Sequence, residues 1–525
     1  MHLAALLLIG PLLGAARADV PAEVAPDVAG DVQPAVPAGR ELQVLGLVQA
    51  RITRSSVVST NPFLDGQVVG SLGGLNGTTT SLDDRTMMAE QRATAFLSWL
   101  PGALDGRAGL TAGFEVDYGF GDQSYQVGGN KGGGFGADQV NLQTRRMYAS
   151  FSPRLGGGRE GTHELTVVAG LQFLADGAYD PHKSTADQLF RHGGGLMLWG
   201  SEAAGVAAFG RLRTAAGDRL RYRLGGYTLL ENGVGLPDDA TLWAADAELS
   251  PTYAVDVGLH AWWLKDNSGG SGGTFGVGPS SQMSQLQGGP RLVFLGQDGL
   301  AAEVDADLLW LSADAGWNRD LGQGPVGVRG LFLMNLGRLY VEGLDDVDVR
   351  GWLANGELRW RWARGRGSEL ALQGLASSRD GDGAGAYTGV VTGNSYGYVG
   401  AVWATHGAML LFSDPMAINR QVAVVSDVSG GGRGLLAGTA NLGFDPVPDR
   451  LTTTATLAHA RTGDGLGRGT EAGLAVVAHP WPLMDVGLRG AVVTGAQVED
   501  PTSGELASLP AWPWAALAHL QWVLF

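Results

Sequence analysis

Segments of about ten residues with alternating polarity recur along the chain and constrain its fold more than any other feature. Clear examples are THELTVVAGLQFL (162–174), DRLRYRLGGYTLL (218–230) and GLAAEVDADLLWL (299–311). A period of two is typical of β-strands, and a strand that crosses a membrane needs about 9–11 residues. No uninterrupted apolar run of about 18 residues follows the N-terminal region, so membrane-spanning helices are not predicted.

The connections between these segments alternate between short and long. Short links include PGALDGR, PRLGGGREG, GQDG, RGRG, DPVPD and HPWP. The longer stretches, rich in Gly, Asp and Asn, are 54–84, 121–139, 175–195, 231–239, 266–284, 312–347, 379–432, 462–468 and 496–512. This arrangement predicts an all-β fold, a transmembrane antiparallel up-and-down barrel of 18 ± 2 strands with long extracellular loops. Both termini are predicted on the periplasmic side, with the short turns.

Two segments inside the longest predicted loops are too apolar for ordinary solvent loops. They are VGVRGLFLMNLGRLYVEG (326–343) and the stretch 396–425. They are either two additional hairpins, which would give twenty or more strands, or segments folded into the lumen. The second interpretation is favoured because loops of this length are usually functional.

The N-terminal region predicts export. LAALLLIGPLLGAA (3–16) has the length of a signal-peptide core, and ARA (16–18) resembles a cleavage site. Residues 19–39 contain four prolines and form a Pro/Ala-rich lead-in. The predicted organisation is therefore a signal peptide at 1–18, a periplasmic lead-in at 19–39 and a barrel at 40–525. The chain has no Cys, so it forms no disulfide and carries no lipidation cysteine.

Alternation also predicts which charged residues line the lumen, because a charge facing lipid costs about 2–4 kcal/mol near the midplane. Arginines recur at period two on one hairpin, and a second mixed ladder and two acidic ladders lie further on. The predicted lumen-lining residues are Arg211, Arg213, Arg219, Arg221, Arg223, Asp246, Glu248, Glu303, Asp305, Asp307, Glu357, Arg359 and Arg361. Trp99, Trp360, Trp362 and Trp481 stand beside short turns, where a periplasmic aromatic girdle is expected.

Two roles are open for these ladders. Arg221 with Glu248, and Arg223 with Asp246, would pair across strands and hold the shape of the barrel. Alternatively, the arginine rows form a track for an anionic or polyhydroxylated solute, since guanidinium stays charged and binds carboxylates in a fork. Both roles can hold at once.

Other kinds of site are not predicted. The sequence has no nucleophile motif around its nine His residues, so no enzyme is expected. No His/Asp cluster has metal-ligand spacing, and the Gly-rich stretch GGNKGGGFG lacks the context of a phosphate-binding loop, so neither a metal nor a cofactor is predicted. The net charge of −16 disfavours nucleic-acid binding.

Three stretches resemble the central part of alginate-export-type and related porin-like outer-membrane barrels. They are GLQFLADGAYDP, LMLWGSEAAGVAAFGR and YRLGGYTLLENGVGLPDDATLWAADAEL, within residues 140–310. The resemblance implies eighteen strands around a charged lumen that passes a polysaccharide or another hydrophilic solute. It also implies that the terminal Phe525 is a signal to the barrel-assembly machinery.

The sequence therefore predicts an outer-membrane channel for passive diffusion or export of hydrophilic solutes, embedded in outer-membrane lipid. The alternative is a non-conducting surface or adhesion barrel closed by its long loops. The oligomeric state stays open. The last strand has two possible registers, of which the one with Trp522 and Leu524 on the lipid face is more apolar outside. If these residues instead point inward, the strand is bulged or packs against something apolar in the lumen.

Overall fold

The structure is a computed structural model, which describes most of the predicted barrel. The described residues are 42–56, 86–119, 140–153, 163–175, 200–213, 219–230, 239–267, 304–341, 345–363, 365, 367–381, 386–391, 408–412, 432–465, 467–499, 506–508 and 512–524. All of them belong to the compact unit Ala38–Phe525. The predicted signal peptide, the lead-in and Phe525 lie outside the described residues.

The described residues form mainly β-strands. These are β1 Leu42–Ser55, β2 Thr86–Trp99, β3 Ala108–Gly119, β4 Val140–Phe151, β5 His163–Ala175, β6 Gly200–Arg213, β7 Arg219–Leu230, β8 Ala240–Thr252, β9 Val255–Asp266, β10 Val304–Trp317, β11 Val326–Val341, β12 Val347–Arg361, β13 Glu369–Ser377, β14 Ala386–Tyr387, β15 Leu435–Val447, β16 Leu451–Thr462, β17 Gly467–Ala478, β18 Met484–Thr494, β19 Gln497–Glu499, β20 Leu506–Ser508 and β21 Trp514–Leu524. One 3-10 turn, Gly102–Leu104, follows β2. No helix in the described part of the chain is long and apolar enough to cross a membrane.

Eighteen of these strands close into one antiparallel barrel. Each of β1–β13, β15–β18 and β21 pairs with its neighbour in this order, and β1 pairs with both β2 and β21. At the closure, Gln49 Nε2 donates a hydrogen bond to Gln521 Oε1 at 3.1 Å. The short β14 pairs in parallel with β12, and β19 and β20 form a separate hairpin. The predicted fold class and strand number are confirmed.

One predicted loop is wrong. Most of 312–347 is barrel wall, because β10 continues to Trp317 and β11 occupies Val326–Val341. The described part of the segment 326–343, which is Val326–Val341, is therefore one strand of the wall, neither an additional hairpin nor folded into the lumen. The predicted short turn at 296–299 lies outside the described residues. The inner face of β11 carries Leu331, Leu333 and Leu339 as well as Arg329 and Asn335, so apolar residues lie on both faces and weaken the alternation that would have revealed the strand.

The outer face of the barrel is apolar and exposed. Leu224, Trp243, Leu259, Leu457 and Leu488 are among many large apolar residues on this side, and each of these five is more than half exposed. A continuous exposed apolar band is the surface that a membrane-spanning barrel presents to lipid. Trp99, Trp360, Trp362 and Trp481 are exposed next to short connections, as predicted for an aromatic girdle.

The last strand has the register that the more apolar outer face predicts. Trp522 and Leu524 are exposed on the outer face, whereas Leu517, His519 and Gln521 are buried on the inner face. Leu517 packs against Met409 and Leu410, which lie inside the barrel. Part of the inner face of β21 therefore does contact apolar side chains in the lumen.

Candidate functional site: the barrel lumen

The inner face of strands β8–β12 changes character halfway along each strand. We call the half next to the short connections the lower half and the half next to the long loops the upper half. Inward-facing residues of the lower half are mostly charged, whereas those of the upper half are mostly Leu, Val and Trp. The two halves are described in turn because they offer different chemistry.

The predicted arginine hairpin pairs with carboxylates in the register that the sequence suggested. Arg221 lies opposite Glu248 and Arg223 opposite Asp246. Arg221 Nη2 is 2.7 Å from Glu248 Oε2, and Arg223 Nε donates to Asp246 Oδ2 at 2.7 Å. The second pair is fully buried, and the Arg223 guanidinium also lies 4.8 Å from the centre of the Trp262 ring. The cross-strand pairing is thus present in the lumen.

His260 joins this pair to the next strand. Its Nδ1 is 2.7 Å from Asp246 Oδ1 and its Nε2 is 2.8 Å from Asp314 Oδ2. The imidazolium form satisfies both contacts because it donates from both nitrogens. Gly258 makes this possible, since a Cβ there would collide with Asp314 Oδ2 and approach His260 Nε2 to 2.7 Å. The result is a charged bridge across β8, β9 and β10.

The ionic network continues through β13. Arg319 Nη2 lies 3.2 Å from Asp314 Oδ1, and Arg329 Nε lies 2.9 Å from Glu357 Oε2. Arg359 Nη2 donates to both oxygens of Glu369, at 3.0 and 2.7 Å. Cations and carboxylates therefore alternate along the lower half of the wall from β7 to β13.

The remaining predicted residues divide between the two faces. Arg211 lies on the inner face opposite Arg221, Arg213 is the register partner of Arg219, and Arg361 is also on the inner face. Glu303 lies outside the described residues. Asp305 and Asp307 were wrongly predicted to line the lumen.

The two aspartates share the outer face with exposed residues. Ala306 and Leu308 are the buried, inward-facing residues between and beside them, and Trp263 Nε1 donates to Asp307 Oδ1 at 2.5 Å on the outside. Across the strands, Asp307 stands in register between Lys265 and Arg338. Near the end of the strands this outer face is charged rather than apolar, so the rule that charges face the lumen fails there.

The upper half of the lumen holds two segments of the connection after β13. We call residues 386–391 and 408–412 the inward segments. Their side chains pack with the apolar inner wall in one cluster, which includes Leu242, Leu264, Leu308, Leu339, Val349, Leu353, Tyr387, Val390, Val391, Ala408, Leu411 and Phe412. The predicted folding of the segment 396–425 into the lumen is thus supported for its described part, residues 408–412.

Val391 of the first inward segment forms hydrogen bonds to the wall through both its carbonyl group and its N–H group. Trp310 Nε1 donates to the Val391 carbonyl oxygen at 2.6 Å, and the Val391 N–H donates to Asn335 Oδ1 at 3.1 Å. Gly351 allows the close approach, because a Cβ there would lie 2.5 Å from both Asn335 Oδ1 and Val390 Cα. These contacts fix the backbone of this segment against β10–β12.

The second inward segment is held by a carboxylate. Glu471 of β17 accepts backbone N–H hydrogen bonds from Met409, Leu410 and Leu411 at 2.7, 2.9 and 2.6 Å. Met409 and Leu410 pack against Ala491, Val493, Ala515 and Leu517 on β18 and β21. The segment therefore lies between two apolar parts of the wall with a charged group at its attachment point.

Strands β1–β4 carry charges in a different place. Arg51 Nε is 3.6 Å from Glu90 Oε2, and Arg92 Nε is 3.2 Å from Glu115 Oε1. On β4 the buried Arg146 guanidinium lies 5.0 Å from the rings of both Phe96 and Phe173. These buried charges lie towards the middle and upper part of the lumen, so this wall does not repeat the division seen in β8–β12.

Several residues of the lumen were missed from the sequence. Asp314 and Arg329 fell in the wrongly predicted loop, and Met409, Leu410 and Leu411, which donate to Glu471, lie 60–62 residues before it in the sequence. His260 received no role from the sequence, although it stands in register opposite Asp246. Within the described residues no group of three or more His, Asp or Glu is arranged to hold a metal ion.

Comparisons with known proteins give only structural likeness. No protein-family model matches the chain, and a search of curated proteins finds no relative. OccAB4 of Acinetobacter baumannii has a TM-score of 0.43 and 8% identity, over 92% of this chain and 98% of that one. OpdK of Pseudomonas aeruginosa, solved with vanillate, has a TM-score of 0.44 and 12% identity over 92% and 98%. The outer membrane channel DcaP of Acinetobacter baumannii has 0.40 and 11%, over 93% and 98%. At these values, function has to be argued from the chain's own residues.

Proposed function

We propose that the protein is a bacterial outer-membrane channel through which hydrophilic solutes diffuse passively. One observation carries this proposal: inward-facing charged groups of the lower half remain open to water. Arg221 and Arg359 each expose 31% of the side chain and Glu248 exposes 21%, although all three lie on the inner face. A closed barrel with wetted charges inside provides an aqueous route, and eighteen strands give a lumen wide enough for one.

The charges of the lower half suggest which solutes are admitted. Alternating guanidinium and carboxylate groups offer donors and acceptors to hydroxyl-rich molecules, and arginine binds carboxylates in a fork. Saccharides and organic anions fit this lining. On the resemblance to alginate-export-type barrels, the more specific proposal for the solute is a uronate polymer. We also propose that Phe525 is a signal to the assembly machinery and that residues 1–18 are an export signal.

A second function is favoured by the upper half. The inward segments pack against a wall in which Leu242, Leu264, Leu308 and Leu353 have no exposed surface. Such packing suits a barrel that is closed on the long-loop side and serves as a surface or adhesion protein.

Planar-bilayer recordings on the full chain distinguish the two functions. We expect discrete conductance steps, and we expect liposomes that contain the protein to swell in isotonic sugars and organic acids. Well-folded protein that inserts but carries no current would contradict the channel proposal and favour the closed surface barrel. If the protein conducts, a swelling panel with neutral sugars, organic acids and uronates would identify the solute class.

A further inference from the structure

The contact between Glu471 and the second inward segment is unusual in its chemistry. Three successive backbone N–H groups, those of Met409, Leu410 and Leu411, converge on one carboxylate with donor–acceptor distances of 2.6–2.9 Å. Successive N–H groups that point into one concavity form a binding site for an anion. Glu471 is completely buried, so the contact lies in the protein interior rather than in open water.

Each side of this contact requires the other. A buried carboxylate is costly unless it is fully hydrogen-bonded, and buried backbone N–H groups must also find acceptors. Met409 and Leu410 pack against Ala491, Val493 and Leu517, whose side chains carry no acceptor, and the acceptor that the three N–H groups use is Glu471. The position of residues 409–411 in the lumen therefore depends on a negative charge at this point.

We propose that the N–H groups of Met409–Leu411 form a carboxylate-binding site whose resident ligand is Glu471, and that this contact sets the width of the upper half of the lumen. The part about width rests on the proposed channel function. The part about the carboxylate site does not, because it concerns where the segment lies.

The absence of Cys from the sequence allows a direct test of position. Leu410 is buried, so Leu410→Cys in the full chain, reconstituted in lipid vesicles, should react slowly with a soluble maleimide. Adding Glu471→Gln should raise the labelling rate at least about tenfold. The reason is that the free energy of a hydrogen bond to a charged acceptor corresponds to more than about a tenfold change in the equilibrium between the bound and the released segment. Met409→Cys provides a second reporter for the case in which Leu410→Cys fails to assemble.

Thr470→Val is the matched control. Thr470 is the neighbour of Glu471 on β17, and its hydroxyl contacts His459 Nδ1 at 2.9 Å on the outer face. This variant should leave the labelling rate unchanged. Equal rates in Glu471→Gln and its parent would overturn the proposal, whatever the conductance, and so would an equal rise in Thr470→Val.

Chemical rescue tests the site itself. Glu471→Ala leaves room for a small carboxylate, so acetate should slow the labelling of Leu410→Cys several-fold, whereas the neutral analogue acetamide should not. Equal effects of the two compounds, or none from acetate, would contradict a site for carboxylate.

Conductance tests the width. Single-channel conductance of Glu471→Gln should exceed that of the unchanged chain and of Thr470→Val. Faster labelling with unchanged conductance would overturn the assignment of width to this contact. If no variant conducts, the proposed function fails, while the labelling rates still decide whether Glu471 holds the segment.

Discussion

The two halves of the lumen are built on the same strands but are stabilised by different interactions. On β12, Val349 and Leu353 of the upper half belong to the apolar cluster with the inward segments, whereas Glu357 and Arg359 of the lower half belong to the ionic network. Apolar packing is non-directional and excludes water, while paired charges keep their position and tolerate water. One wall thus combines a packed region on the long-loop side with a wetted region on the short-turn side.

The wall of β1–β4 shows that this division is not required by the barrel itself. There Arg92 and Glu115 are buried at mid-height, and Arg146 lies between two aromatic rings. On β8–β12 the inner face is apolar in the half that the inward segments contact and charged in the other half. Apolar side chains on an inner face are stable where other apolar groups cover them. The following predictions test this difference between the halves.

The largest effect is expected at the most buried ion pair of the lower half. Asp246→Ala leaves Arg223 and His260 without the carboxylate that both contact, and an uncompensated buried charge costs about 3–5 kcal/mol. Urea unfolding in lipid vesicles, followed by Trp fluorescence, measures the loss.

Glu248→Ala is its control, because the Arg221–Glu248 pair is partly exposed and should cost less than about 1 kcal/mol. Similar losses in the two variants would contradict the distinction between the buried and the wetted parts of the network.

The next effect concerns the packing of the upper half. Leu353 is fully buried on the inner face of β12, and Leu353→Ala should destabilise the barrel by about 2–5 kcal/mol if this region packs like a protein core. Leu358 lies on the outer face of the same strand, where lipid can fill the space left by a smaller side chain. Leu358→Ala should therefore destabilise the barrel clearly less than Leu353→Ala. Equal losses by urea unfolding would mean that the upper half is not a packed core.

These two predictions show what the sequence could and could not reveal. The pairing of Arg221 with Glu248 was predictable because charged residues alternate with apolar residues along both strands, and neighbouring strands of a barrel place such ladders opposite each other. Strand β11 was missed because apolar residues occupy much of its inner face as well as its outer face, and they are covered by inward segments more than forty residues later in the chain. Asp307 was misplaced because the edge of the apolar band cannot be read from one strand alone.

A smaller effect is expected where the first inward segment approaches the wall. A Cβ on Gly351 would press on Asn335 Oδ1 and Val390 Cα, so Gly351→Ala should displace residues 386–391 at a cost of about 1–3 kcal/mol. Gly356, on the same strand, has no atom within 4 Å of an added Cβ, and Gly356→Ala should be nearly neutral. Thermal unfolding of the two variants in parallel provides the comparison, and identical curves would refute the close contact.

The smallest effect on stability, and the one most specific to the lower half, comes from its exposed arginines. Replacing Arg221 and Arg359 with Ser removes two water-accessible positive charges from the lumen. A unit charge about 10 Å from an ion in water is worth about 0.4 kcal/mol, which changes the partitioning of that ion about twofold. The double variant should therefore raise cation partitioning about fourfold and lower anion partitioning about fourfold, which shifts the selectivity towards cations. Reversal potentials measured at low salt reveal this shift, which should shrink as salt screens the lumen.

Arg338→Ser removes the same charge from the outer face, where this side chain is half exposed and pairs with Asp348 Oδ1 at 3.4 Å. Its reversal potential should match that of the unchanged chain. A shift in Arg338→Ser as large as that of a lumen variant would mean that surface charge near the mouth, not the lower half of the lumen, determines selectivity. No shift in the double variant would reduce Arg221 and Arg359 to a structural role, because their charges would then lie away from the path of the ions.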